Sequence, residues 1–259
     1  MLSTKEKLEI LFATMQNYLK EIGETADSFN EAAFLLKNKT LRNELFKTAV
    51  YLADFNHLPQ IISDEKYQKL PAVNFKYMGF DLKPEELYRG SKIIEHHSNL
   101  LCDKNYHLGV GDVCNGLYAS LNFQTALSYT RIEPIDSLVL KLKLPTAKVI
   151  DDISLSCDLS RVVDGFEPFN DEHRETIAEI KNFFEQLPNS AEKNLFSFLL
   201  FDDLAIVASL LGYDAVYDHN FPSLAILNRE KIVVSQKEFN RICSASATHK
   251  NSVITKILE

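Results

Sequence analysis

Residues 138–145 read LVLKLKLP, and no other stretch restricts the fold so tightly. Leu138, Leu140, Leu142 and Leu144 alternate with Val139, Lys141 and Lys143. That is the two-residue period of a half-buried strand, and Pro145 ends it. AKVIDDISL, from Ala147, is a second strand candidate, and DAVYD, LAILN and KIVVSQ supply three more short ones. The chain therefore contains a sheet.

Helical patterns surround these strands. Ser3-Thr-Lys-Glu6 is a capping box, followed by Leu8, Leu11, Phe12, Met15 and Leu19 at helical spacing. Ser28-Phe-Asn-Glu31 repeats the signal ahead of AAFLLKNKTLRNELFKTAVYLADF, and DEKYQKL suggests a third, short helix. Residues 1–75 thus read as a helical N-terminal region and 76–259 as a separate domain. Ile177, Ile180, Phe183, Phe184 and Leu187 line one face of a later helix. LFSFLLFDDLAIVASLL reads as another, stopped at Gly212 by a left-handed cap. Asp202 and Asp203 are expected on its solvated side. Helices and strands come in mixed order without regular β-α-β alternation, so the predicted class is α+β.

With 46% apolar residues, including 17 Phe and 10 Tyr, the chain can build a sizeable core. A formal net charge of −8 argues against a broad phosphate-neutralising surface, though not against a local groove. The N-terminus lacks a signal peptide's uninterrupted apolar core, and no apolar run reaches spanning length, so a soluble protein, cytoplasmic or delivered into a host cytoplasm, is expected. Cys102, Cys114, Cys157 and Cys243 form no C-x-x-C pair and are expected to be buried or incidental thiols. Adjacent His96 and His97 project in different directions, which argues against one shared ion; no metal is expected.

The chain has only 8 glycines, yet Gly109, Gly111 and Gly116 stand close together. A phosphate loop is excluded, because no Lys follows them and no G-x-G-x-x-G opens a helix. Four segments around them stand in order: Leu87-Tyr-Arg-Gly90; Gly116-Leu-Tyr-Ala-Ser120 with Ala126 and Tyr129; Ala147-Lys-Val-Ile-Asp151; and Gly212-Tyr-Asp-Ala-Val216 with Leu224-Ala-Ile-Leu-Asn-Arg229. Together they resemble the ADP-ribosyltransferase superfamily, chiefly its bacterial and phage-associated toxin-like members, over residues 80–237. The N-terminal helices carry no such likeness.

The resemblance implies a split β-sandwich cleft that binds NAD as substrate and exposes its nicotinamide glycosidic bond. Tyr88, Arg89, Gly90, Gly116, Tyr118 and Ser120 would then form the NAD-binding set. Arg89 would hold phosphate or ribose through its planar fork. Tyr118 would pack on nicotinamide, and Ser120 would keep arginine and ribose in register. The glycines would let backbone approach the cofactor. Ala126 and Tyr129 would pack the strand from behind. Loss of nicotinamide leaves an oxocarbenium-like cation that needs a fixed negative or polar group nearby. The family's usual Glu is replaced by Leu224, beside Ser223. Asp218, His219, Asn228 and Glu230 remain as candidates for that catalytic role.

The implied activity is mono-ADP-ribosyl transfer to a protein side chain or a nucleic-acid base, with an antitoxin or chaperone as a partner for the N-terminal helices. NAD glycohydrolysis and a non-catalytic NAD-binding module are the alternatives. Each residue also has a plainer reading: Tyr118 as a core aromatic, Asn228-Arg229 as a turn, Asp218 as a loop carboxylate.

Overall fold

The computed structural model describes residues 2–26, 38–55, 57–104, 115–130, 138–188 and 190–258. Helix α1 (Thr4–Glu21) opens with the expected capping box: Ser3 Oγ accepts the Glu6 N–H at 3.3 Å, and Glu6 Oε2 accepts the Ser3 N–H at 2.7 Å. Leu8, Leu11, Met15 and Leu19 form its buried stripe. The second start signal at Ser28 lies outside the described residues, as do Gly109, Gly111 and Cys114. Helix α2 (Lys39–Leu52) follows. The stretch read as helical also contains a strand, β1 (Gln60–Ile62), just before the expected short helix α3 (Asp64–Gln68).

Strands β2 (Phe75–Tyr77) and β3 (Phe80–Leu82) form a hairpin turning through Met78 and Gly79, whose φ angles are 48° and 83°. Two successive positive φ values give the turn whose twist suits a two-residue hairpin. Next come β4 (Leu87–Gly90), α4 (Glu95–Cys102), β5 (Leu117–Ser120), α5 (Phe123–Ser128) and β6 (Val139–Leu142). Of the AKVIDDISL run only β7 (Val149–Asp151) is strand. Asp151 then caps α6 (Asp152–Val163) by accepting the Ser154 N–H at 2.8 Å, which turns the rest of that run into helix.

After α7 (Arg174–Gln186), the helix expected to run unbroken to Gly212 is two helices, α8 (Ala191–Asp202) and α9 (Leu204–Leu210). Asp203 makes the break. Its Oδ1 accepts the N–H groups of Ala205 (3.1 Å) and Asn115 (3.2 Å), and its Oδ2 accepts the Asn115 side-chain amide. The expectation of a solvated Asp202-Asp203 pair is thus corrected. Asp203 is 2% exposed, and Asp202 is half-buried in an ion pair with Arg42 at 2.6 Å. Gly212, with φ of 77°, ends α9 as predicted. The chain closes with β8 (Ala215–Asp218), β9 (Ser223–Ile226), β10 (Val233–Ser235) and α10 (Gln236–Leu258).

Six strands form one sheet in the order β6-β4-β5-β9-β8-β7. All neighbours are antiparallel except β7 and β8. Parallel neighbours need a long crossover, and α6 to α9 supply it. β1 and β10 pair in parallel and join the end of β6 through reciprocal Lys143–Val233 backbone bonds of 2.9 Å. The fold is α+β, as expected.

Each face of the sheet carries its own core. Val216 and Ala225 pack beneath α1, α2 and α6 to α9 on one face. Leu87, Leu140, Leu224 and Ile226 pack with α4, α10 and β10 on the other. Lys143, expected in a half-buried strand, is itself buried; its Nζ donates to the carbonyls of Tyr67 (3.3 Å) and Leu70 (3.4 Å) at the end of α3. At the free edge of β6, Glu238 accepts the Lys141 N–H at 2.8 Å and Arg241 donates to the Val139 carbonyl at 2.5 Å, so that edge is covered. Of the thiols expected to be buried or incidental, Cys102 and Cys157 are free and exposed and Cys243 is free and half-buried. No helix among the described residues is long and apolar enough to cross a membrane.

Candidate functional site

The four segments singled out in the sequence become neighbouring strands: β4, β5, β9, β8 and β7 lie side by side. The seam between β4 and β5 is weak, with Tyr88 opposite Ser120 as its one register pair, whereas β5 and β9 share four. Arg89 stands at this seam, half-buried, its Nη1 3.5 Å from the Tyr118 carbonyl oxygen. Gly90 presses on α5 so closely that a Cβ would lie 1.8 Å from the Ala126 carbonyl oxygen and 3.2 Å from Tyr129 Cβ. Ala126 and Tyr129, expected behind the Gly116–Ser120 strand, make this close contact with the Tyr-Arg-Gly strand β4. A Cβ on Gly116 would meet Ala225 Cβ and the Ile226 carbonyl oxygen at 3.2 Å, so the element that approaches this glycine is β9.

Side chains alternate along a strand, and register partners share a face. Tyr88, Ser120, Ser223 and Asp218 form one row across β4, β5, β9 and β8, on the face that α5 covers at β4 and that α6 and α9 cover at β8. Arg89, one residue on, belongs to the opposite face with Leu87, Leu224 and Tyr217. Ser120 therefore does not hold Arg89, as the resemblance implied. Its Oγ accepts the Asn122 N–H at 3.1 Å and lies 3.5 Å from the Pro222 carbonyl. Tyr118 packs against the helical-layer core. The Tyr88 hydroxyl lies 3.3 Å from Glu86 Oε2, and its ring meets Phe123 edge-on at 5.5 Å. Burial, followed by the Glu86 charge, raises the Tyr88 pKa.

Near Arg89, His97 is fully buried and donates through Nε2 to the Leu138 carbonyl at 2.8 Å. Burial, then the Arg89 charge, holds its pKa down at about 3. His96 instead meets Ser91 Oγ at 3.1 Å, so the adjacent histidines serve different partners.

The candidates for the third catalytic role fall at opposite ends of the sheet. Asn228 stands five residues beyond Ser223, about 17 Å of extended chain. Asn228 donates to Asp214 Oδ1 at 2.7 Å and accepts the Glu230 N–H at 3.2 Å, which ties the start of β8 to the turn after β9. Glu230 is paired with His57 at 3.7 Å. Neither is near Ser120. Asp218 and His219 are at the Ser120 end, where His219 Nδ1 lies 2.6 Å from Asp152 Oδ2.

Two polar assemblies escaped the sequence reading. His173, buried, bridges Asp158 Oδ2 and the Tyr213 hydroxyl at 2.7 Å each, while Asp158 Oδ1 accepts the Phe169 N–H at 2.6 Å. Arg229, also buried, donates to the carbonyls of His57 (3.3 Å), Asp103 (3.0 Å) and Lys104 (3.5 Å). Nothing in local sequence marks partners this distant along the chain. Only the presence of polar residues inside otherwise apolar runs could have drawn notice.

Comparison of the chain with protein-family models, with curated proteins and with solved structures gives no match in any of the three. The residues themselves must carry the functional reading.

Proposed function

We propose that the protein is an NAD-consuming mono-ADP-ribosyltransferase of toxin or effector type, with Arg89 as its principal NAD-holding residue. What supports this reading is the assembly of four scattered segments into adjacent strands, with an arginine at a one-pair seam. A guanidinium fork there suits a pyrophosphate or ribose. The acceptor is a protein side chain or a nucleic-acid base, and water in its place gives the glycohydrolase variant. An antitoxin or chaperone on the N-terminal helices remains part of the proposal.

A second reading, a dinucleotide-binding module without transfer, is favoured by one observation. Leu224, fully buried, occupies the row of Arg89 where a carboxylate would steady the ribosyl cation.

One experiment separates them. Nicotinamide release from labelled NAD is followed with purified protein, alone and with cell lysate, beside Arg89→Ala and Arg89→Lys. The transferase reading expects lysate-dependent label in the protein or RNA fraction, lost in both variants. Saturable NAD binding without release selects the second reading. Neither binding nor release overturns both.

A further inference from the structure

Asp152 begins α6 immediately after β7, and Asp218 ends the parallel neighbour β8. The register Asp151–Tyr217 therefore brings Asp152 beside Asp218. His219 follows, its ring stacked on Tyr77 from the hairpin at 6.4 Å between centroids and 21° between planes. One carboxylate oxygen from each acid and one ring nitrogen lie within 4.8 Å of one another.

Clustered acids alone mean little, since such groups often face water. Two further facts set this cluster apart. Asp218 is only 3% exposed; its Oδ1 accepts the N–H groups of Asn220 (3.0 Å) and Phe221 (3.3 Å), yet its Oδ2 has no hydrogen-bond partner. Ser223, directly opposite on β9 and 6% exposed, likewise has a hydroxyl without a partner. Buried oxygens are ordinarily satisfied, and a carboxylate oxygen left alone is among the costlier exceptions.

From this we infer that the ends of β7 and β8 form a binding site for a divalent transition-metal cation, ligated by Asp152, Asp218 and His219. Metal–ligand bonds of about 2.0–2.2 Å set two ligands on one ion roughly 3 to 4.4 Å apart. The spread of 4.8 Å thus needs only a small contraction. Two carboxylates with one imidazole suit Mn²⁺ or Zn²⁺ better than Ca²⁺, which takes six to eight oxygens. In the metal-free chain the 2.6 Å His219 Nδ1–Asp152 Oδ2 hydrogen bond holds the imidazole in the cluster; ion binding releases the Nδ1 proton to solvent and opens this pair to ligand spacing, while the two loop N–H groups fix Asp218. This inference goes beyond the NAD reading and does not rest on it.

The test uses the intact chain, stripped with chelator and titrated with Mn²⁺ or Zn²⁺ without any dinucleotide, followed by calorimetry and by the rise in Tm. One saturable site per chain is expected, with Ca²⁺ at least tenfold weaker. Asp218→Asn and His219→Ala should each weaken Mn²⁺ at least tenfold, with unchanged circular dichroism. His219 is half-buried, so its variant decides the matter if Asp218→Asn does not fold. Absence of saturable binding overturns the inference. So does equal binding by wild type and His219→Ala, which would mean an adventitious ion only.

Discussion

Gly90 shows how a single missing atom can set an interface. Its Cα faces the C-terminal turn of α5, and a Cβ would stand 1.8 Å from the Ala126 carbonyl oxygen, a contact that only movement of strand or helix can relieve. Gly90→Ala is expected to lose about 3 kcal/mol in urea unfolding, the upper end of the usual range of roughly 1–3 kcal/mol for overpacking, because the contact is with backbone. Gly23→Ala is the control, because nothing lies within 4 Å of its Cβ position and its φ of 70° brings only backbone strain. That loss should be about 1 kcal/mol. His97 gives a second prediction at this scale. Its pKa is depressed to about 3 in the folded chain, so between pH 6.5 and 3 the unfolded chain binds the extra proton. Its contribution to stability is complete above pH 6.5 and falls as the pH drops. His97→Gln, whose amide can still donate toward Leu138, should flatten the wild-type decline across that window in pH-dependent urea midpoints.

Among the elements, the α8–α9 break shows why part of the fold was legible in sequence and part was not. The capping box at Ser3 and the glycine cap at Gly212 are local: every group involved lies within a few residues, and both were read correctly. Asp203 stops a helix for a reason outside its own neighbourhood. The run LFSFLLFDDLAIVASLL carries no breaker, and the amide that rewards the break belongs to Asn115, 88 residues earlier. Burial raises the Asp203 pKa to about 6, with the Asn115 and Ala205 hydrogen bonds opposing it. The folded chain thus holds the proton more tightly. The contribution is fully present below about pH 4 and is lost as the pH rises through about 6, by on the order of 2–3 kcal/mol. Asp203→Asn keeps an N-cap oxygen and removes the titration. The expected result is that the wild-type-minus-variant difference in unfolding free energy becomes less favourable to wild type from pH 4 to pH 6. A flat difference would show that Asp203 does not titrate in that range.

Taken over the whole molecule, the sheet gathers what the sequence scattered, and Arg229 shows how the gathering is secured. The order of the four segments was readable, as was the α+β class. The register that sends Arg89 and Ser120 to opposite faces was not, because a shift of one residue exchanges faces without altering any local pattern. Arg229 lies in a turn, as its sequence context suggests, with Asn228 capping it. It is also a buried guanidinium donating to three carbonyls, from His57 ahead of β1 and from Asp103 and Lys104 after α4. It pins segments from two distant parts of the chain onto the turn after β9. Arg229→Met removes the donors, leaves buried carbonyls short of partners and should cost about 2–4 kcal/mol. Arg229→Lys, with one point of attachment in place of a fork, should recover less than half of that. Hydrogen exchange is the discriminating readout. If Arg229 acts as a clamp, amides at residues 57–62 and 100–104 lose protection before the β5–β9–β8 strands do. On the proposed transferase reading, nicotinamide release per folded chain below the variant's unfolding transition should match wild type, because Arg229 lies at the end of the sheet away from Asp218. A variant that folds with wild-type protection but releases no nicotinamide would instead make Arg229 part of the chemistry, and the site would have to be sought at that end.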